Sequence, residues 1–205
     1  MADDLKKLLK PASVALVGAS EGEGSVARPI LLNLANFFKG EIFPVNPART
    51  TLLGMECFRS VTAIGRPVDL AVVVVGADLV PDTIEECARA GIRGAVIIST
   101  MFTRGGAPDR QLLERLLEVR RRFGIRIIGP GSVGIISPDI GLNTSFLNVN
   151  PKLGNIAFVS QSGELGDATL KWGIEAGVGF SAFVSLGWKI DVDFGDVIDL
   201  LGDDL

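Results

Sequence analysis

Val14-Ala-Leu-Val-Gly-Ala-Ser-Glu-Gly-Glu-Gly-Ser-Val-Ala-Arg-Pro29 is the stretch from which the fold is read. Residues 14–17 are an apolar run of strand length, broken by Gly18, Gly22 and Gly24, and helical periodicity begins near Ser25. A strand, a glycine turn and a helix place backbone N–H groups and a positive dipole end against an anion. Gly18 lets the chain turn sharply, and Ser20 or Ser25 can cap the helix or bond a phosphate. Pro29 falls in the first helical turn, where a missing N–H costs little. The same residues could form a plain turn with no ligand. As the first β–α turn of an α/β chain, the stretch favours a phosphate.

Outward from it, strands alternate with helices. A short helix at 5–10 packs across the sheet, the first strand covers 13–18 and the helix 25–39, closed by Gly40. A second strand follows at 41–46, with Pro44 pointing to a sheet edge. The β-branched run at 69–75 has the composition of a parallel strand covered on both faces. Further helices at 78–90 and 108–123, and strands at 93–99 and 125–129, complete a doubly wound, Rossmann-like parallel sheet. Right-handed crossovers bring the loops after all these strands to one edge, where open α/β sheets bind ligands. That edge carries Gly18-Ala-Ser20, Val45-Asn-Pro-Ala-Arg49, Val75-Gly76, Ile98-Ser-Thr100 and Gly129-Pro-Gly-Ser132.

The division expected is 1–150 for this first unit and 151–205 for a second. The second repeats the theme with a strand at 154–160, the turn Gln161-Ser-Gly-Glu-Leu-Gly166, a strand at 180–186 and a helix at 192–201. Two strands are few for a sheet, so exposed sheet edge and apolar surface are expected there. A further stretch of chain, a partner subunit or self-association would cover them.

Composition removes several function classes. The 205 residues carry a formal charge of −4, which argues against nucleic acid as a partner. With 47% apolar residues there is material for a sizeable core. Cys57 and Cys87 lie in unrelated patterns, so neither a disulfide nor a metal site is expected, and a reducing cytoplasm fits. No run approaches the roughly 20 apolar residues of a membrane span, and residues 1–10 are charged and amphipathic rather than signal-like. The chain holds no histidine and no tyrosine, so no catalytic residue is assigned.

The dinucleotide fingerprint needs GxGxxG and an acid ending the second strand. Here that strand ends Val45-Asn46-Pro47 and is followed by Arg49, which suits a phosphorylated ribose rather than a bare diol. The Walker pattern also fails, because no Lys-Ser/Thr pair follows the glycines.

Val17-Gly-Ala-Ser20, Gly24-Ser-Val26, Asn33-Leu34, Pro44-Val-Asn-Pro47, Ile128-Gly-Pro130 and Val159-Ser-Gln-Ser-Gly163 resemble the α-type part of the ADP-forming acyl-CoA synthetases. This is the acetate–CoA ligase branch of the succinyl-CoA synthetase superfamily, and the resemblance covers nearly the whole chain. It implies a CoA-binding Rossmann-like domain followed by the start of a succinyl-CoA-ligase-like flavodoxin domain. It also implies that Gly18, Ala19, Ser20, Ser25 and Val26 hold the pyrophosphate and pantetheine of CoA or acyl-CoA. Asn46, Pro47 and Arg49 would flank the adenosine end, Arg49 standing for a family lysine that pairs with a CoA phosphate. Ile98 and Ser99 would line the path toward the thiol, and Ser160, Ser162 and Gly163 would form a weaker phosphate site at a helix N-terminus.

Three departures qualify the resemblance. Gly131-Ser132 stands where the family commonly reads Asn-Cys, which removes an amide that could bond the ligand. Glu164 occupies the first helical turn, where the family has a small neutral residue; its carboxylate would repel phosphate, or simply favour an ordinary helix. The family's phosphorylated histidine has no counterpart, because the chain contains none. The resemblance therefore implies a CoA-binding module that is not catalytic alone, acting with a further domain of ATP-grasp or acetyltransferase type. Two other readings stay open: an NADP-dependent oxidoreductase, and a Rossmann scaffold serving interaction or regulation.

Overall fold

Residues 14–17 are the interior of strand β1 (Ser13–Val17) in a computed structural model that describes residues 2–100, 103–104 and 107–202. The chain continues through α1 (Ala2–Leu9, preceding β1), α2 (Ala27–Phe37), β2 (Glu41–Val45) and the hairpin β3 (Thr51–Leu52) and β4 (Met55–Glu56). Next come β5 (Leu70–Val73), α3 (Val80–Arg89), β6 (Gly94–Ile97), β7 (Thr103–Arg104), β8 (Ala107–Pro108), α4 (Arg110–Phe123) and β9 (Arg126–Ile128). The last elements are β10 (Ile135–Ser137), β11 (Leu142–Asn143), β12 (Leu153–Ser160), α5 (Gly163–Glu175), β13 (Phe180–Ser185) and α6 (Phe194–Gly202).

The first sheet is fully parallel, in the order β2-β1-β5-β6-β9. Strand side chains alternate between faces. Ala15, Val17, Ala71, Val73, Ala95 and Ile97 enter one core with Ile84 and Cys87 of α3 and Leu116 of α4. Val14, Leu16, Leu70, Val72 and Val96 enter another, with Leu8 of α1 and Ile30, Leu31 and Leu34 of α2. Both faces are covered, which is why the strands read as continuous apolar runs. Pro44 lies in the edge strand β2, where the ladder bond it cannot donate is least missed.

Helix α2 begins at Ala27 rather than at Ser25. Tight turns come first, with Ser25 N–H donating to the Gly22 carbonyl (3.2 Å) and Arg28 N–H to that of Ser25 (3.2 Å). The N-cap is Val26, which makes no side-chain cap bond; Ser25 Oγ accepts from Ala27 N–H at 3.3 Å instead. By contrast α4 is closed at both ends, by Asp109 Oδ1 accepting from Leu112 N–H (3.2 Å) and by Gly124 in the left-handed region.

The second sheet is mixed and larger than two strands, in the order β11-β10-β13-β12. β12 and β13 are parallel, whereas β10 runs antiparallel to β13 and β11. Two strands preceding residue 150 thus complete the sheet carried by residues 151–205. One apolar core spans both sheets, with Leu16 and Ile128 packed in the same cluster as Ile135, Val184 and Leu186. An ion network reinforces the junction. The Asp191 carboxylate, 2% exposed, accepts from Arg120 (2.6 Å), Arg126 (3.0 Å) and Ile127 N–H (2.8 Å). Arg126 also reaches Asp196 at 2.9 Å.

β12 ends the second sheet, and its outer edge pairs with no strand among the described residues. Leu153 and Ile156 on it, and Leu165, Trp172 and Ile174 on α5, are exposed. No described helix is long and apolar enough to cross a membrane. Cys57 and Cys87 are buried free thiols, and burial pushes Cys87 up to about 12.

Candidate functional site

The site is built from the end of β1. Gly18 has φ +88°, and a Cβ there would lie 2.4 Å from the Val74 carbonyl oxygen. Only glycine lets the ends of β1 and β5 approach so closely. The N–H groups of Gly18 and Ala19 both donate to the Val45 carbonyl, at 3.0 and 3.1 Å. These two residues therefore shape the turn through β2, and the donors left for an anion begin at Ser20. Ser20 Oγ accepts from Gly22 N–H at 3.1 Å, which curls the loop back on itself.

Asn46 fastens the end of β2 to this turn. Its Nδ2 donates to the Ala19 carbonyl at 2.8 Å, while Oδ1 accepts from Ala48 N–H at 2.9 Å. The resulting turn through Pro47 displays Arg49, whose N–H donates to the Asn46 carbonyl at 3.3 Å. Arg49 is exposed and forms no ion pair among the described residues. Glu21 joins the glycine loop to the β3–β4 hairpin, its Oε2 accepting from Leu53 N–H at 3.0 Å.

Beside the turn opens a cleft of about 890 Å³. Ser25 and Val26 form one wall, Val74–Ala77 after β5 the floor, and Ile98, Ser99 and Thr100 after β6 the far side. Asp109 and Leu112 at the start of α4, together with Phe146, complete it. Ser99 is buried, and its hydroxyl donates to the Val75 carbonyl at 2.6 Å, holding the two strand ends together while its lone pairs stay available. The lining is apolar with a few fixed polar groups, the composition of a small-molecule site. The Asp109 carboxylate is held by the Leu112 N–H. A neutral, amide-bearing arm suits this cleft better than a second phosphate would.

Of the residues singled out in the sequence, Ser25, Val26, Ile98 and Ser99 line the cleft together. Gly18, Ala19 and Ser20 form the turn behind it, and Asn46, Pro47 and Arg49 occupy the neighbouring strand end, off the cleft wall. Ser160, Ser162 and Gly163 lie at a separate place, the start of α5. There Ser162 Oγ accepts from Leu165 N–H (3.2 Å) and Ser160 Oγ from Ser162 N–H (3.1 Å), so both serines are engaged locally. Glu164 is exposed in the first turn. One loop connects this helix start to the cleft: a Cβ on Gly163 would strike Val133, and Gly131 N–H donates to the Ser99 carbonyl at 3.0 Å.

Sequence reading missed Phe146 and Asp109. Asp109 carried a usable signal, an Asp directly before a charged amphipathic helix. Phe146 carried none, because it reaches the cleft only through contacts more than a hundred residues away in sequence.

Residues 12–138 match the family described as CoA binding domain, and residues 153–205 match the succinyl-CoA ligase like flavodoxin domain. The chain is 43% identical over 200 residues to acetate–CoA ligase [ADP-forming] I of Archaeoglobus fulgidus, covering 98% of this chain and 29% of that protein. It is 36% identical to the α subunit of acetate–CoA ligase [ADP-forming] II of Pyrococcus furiosus, covering 97% of this chain and 43% of that subunit. In structure it resembles the dinucleotide forming acetyl-coenzyme A synthetase 1 of Ca. Korarchaeum cryptofilum in complex with phosphate and ADP, with a TM-score of 0.90 and 36% identity. That match covers 98% of this chain and 43% of the solved one. The chain spans less than half the length of each of these relatives. By the match over residues 12–138, this chain belongs to the CoA binding domain family.

Proposed function

We propose that this chain is the CoA-binding, α-type portion of an ADP-forming acyl-CoA synthetase, taking CoA or acyl-CoA in the cleft beside the glycine turn. The observation that carries this reading is the juxtaposition of three features. A largely apolar cleft of about 890 Å³ that carries no cation, a glycine turn beside it, and Arg49, without an ion pair among the described residues, suit the three chemically distinct parts of CoA in order. Ser25, Val26, Ile98 and Ser99 would hold the pantetheine arm, with the thiol at the Ser99 end. Ser20 and the backbone beyond Gly18 and Ala19 would hold the pyrophosphate. Asn46, Pro47 and Arg49 would flank the adenosine, Arg49 pairing with the ribose phosphate.

In this reading the chain does not form acyl-CoA by itself. It has no histidine to carry a phosphoryl group, so turnover needs a further domain or partner chain, of ATP-grasp or acetyltransferase type. Such a partner, or a second copy of this chain, would cover the exposed edge of β12. The α5 start, with Ser160, Ser162 and Gly163, would receive phosphate in the assembled enzyme. The two free buried thiols fit a reducing, cytoplasmic setting.

Calorimetry with CoA, 3′-dephospho-CoA and NADP tests the assignment. CoA is expected to bind in the micromolar range, and Arg49→Ala to weaken CoA while leaving 3′-dephospho-CoA nearly unaffected. Binding of NADP without CoA would sink the reading in favour of an oxidoreductase. Binding of none of them would favour a scaffold for interaction or regulation.

A further inference from the structure

A second, smaller pocket opens against the cleft. It encloses about 340 Å³, and Ser25, Val26 and Phe146 belong to the walls of both spaces. Most of its remaining lining comes from one side of α2. There Arg28, Pro29 and Leu32 lie off the stripe of Ala27, Ile30, Leu31 and Leu34 that enters the core. The two spaces differ in charge. The cleft carries the carboxylates of Asp78 and Asp109 and no cation, whereas the pocket carries the exposed guanidinium of Arg28 and no carboxylate. Arg28 forms no ion pair among the described residues.

Phe146 stands fixed between the two. Its neighbour Ser145 is buried, with its carbonyl accepting from Asn33 and its N–H donating to Asn143 Oδ1 at 3.0 Å. Asn143 is buried as well, and its Nδ2 donates to the Val149 carbonyl at 2.8 Å. The Phe146 side chain nevertheless stays 38% exposed, and Val26 beside it 47%. Exposed apolar groups on so firmly held a backbone form a preorganised wall for a ligand.

We infer that this pocket binds the second organic substrate, a monocarboxylic acid with an apolar body larger than that of acetate. This rests on the proposed CoA site in the neighbouring cleft, beside which the acid would meet the thiol. The carboxylate pairs with Arg28, the one cation of the lining, and the body lies against Pro29, Leu32 and Phe146. A second carboxylate would find no partner on these walls, so dicarboxylic acids are disfavoured. Acetate has a single methyl group to bury, and affinity rises with each methylene added to it.

Saturation-transfer NMR on the whole chain tests the pocket, with acetate, butyrate, succinate and the neutral butyramide as probes. Butyrate should bind about tenfold more tightly than acetate, from two further methylenes, and more tightly than succinate or butyramide. Arg28→Ala should weaken butyrate about tenfold, the scale of a hydrogen bond to a charged group, and Arg28→Lys should recover part of the loss. Leu32→Asp, which sets a carboxylate among the apolar walls, should abolish butyrate binding. Calorimetry should show unchanged CoA affinity in all three variants, with thermal midpoints reporting that each is folded. Butyramide binding as tightly as butyrate, or butyrate affinity kept in Arg28→Ala, would overturn the acid pocket. So would an Arg28→Ala variant that loses CoA as strongly as butyrate, which would assign Arg28 to a CoA phosphate. No acid binding in protein that binds CoA would overturn the pocket alone. No CoA binding would overturn the CoA site, and with it the role of the acid as second substrate.

Discussion

Asn33 on α2 holds a loop 112 residues away: its Nδ2 donates to the Ser145 carbonyl at 3.0 Å. It also lies 3.4 Å from the Leu147 carbonyl. Phe146, between these two residues, is the part of the loop that walls the cleft. The helix that follows the glycine turn therefore also positions the opposite side of the site. Asn33→Ala is expected to cost about 1 kcal/mol of stability, the scale of one lost hydrogen bond. It should weaken CoA several-fold by releasing Phe146. Urea unfolding and calorimetry on the same variant separate the two effects; a stability loss with unchanged affinity would remove Phe146 from the site.

Gly18→Ala tests the turn itself. The added methyl would sit 2.4 Å from the Val74 carbonyl oxygen at φ +88°. Strain of this kind costs on the order of 1–3 kcal/mol. The expected outcome is a lower thermal midpoint together with lost CoA binding, because relief of the clash must spread the ends of β1 and β5.

Asp191 tests the junction between the sheets. Its 2% exposed carboxylate balances Arg126, whose side chain is 12% exposed. Burial opposes the Arg126 charge, but Asp191 and Asp196 more than restore it, so its pKa is raised. Removing one partner of a buried pair typically costs about 3–5 kcal/mol. Asp191→Ala should approach that loss in chemical denaturation, and a change under 1 kcal/mol would show the pair to be replaceable by solvent.

Asp69 gives a pH dependence. Partial burial raises its pKa, but Lys7 at 2.8 Å and the N–H groups of Ala12 and Asp69's neighbour Ser13 outweigh this and lower it overall. A carboxylate with a depressed folded pKa adds stability that is complete above its unfolded value, about 3.9, and is lost as pH falls through the folded value. Wild type should therefore lose stability relative to Asp69→Asn as pH drops from about 5 toward 2. Parallel stability curves for the two proteins over that window would refute the linkage.

Turnover supplies a last check. The isolated chain should form no acyl-CoA from acid, CoA and ATP, because it carries no histidine. Activity in a preparation freed of host synthetase would show a different phosphoryl carrier.

Much of the fold is legible in local sequence. The five parallel strands, their order along the chain and the edge to which their loops run follow from apolar runs, glycine stops and crossover handedness. Ile98 and Ser99 could be placed at the site for that reason alone. The second sheet was not legible in the same way. β10 and β11 are only three and two residues long, too short for a periodic signal, and β10 joins the rest of the sheet through the distant β13, Ile135 opposite Val184.

By itself, the sequence determined the strand–turn–helix units, the sharp turn available at Gly18 and the absence of histidine. These depend on neighbours in the chain or on composition. Only the tertiary structure decided that the Gly18 turn lies against the Val74 carbonyl, that Asn33 sets Phe146 and that Asp191 joins two sheets. Each of those rests on contacts between residues far apart in the chain, 112 positions for Asn33 and Ser145 and 64 for Asp191 and Ile127. Such contacts leave no local periodicity, because they are selected by the shared core and not by the segment that makes them.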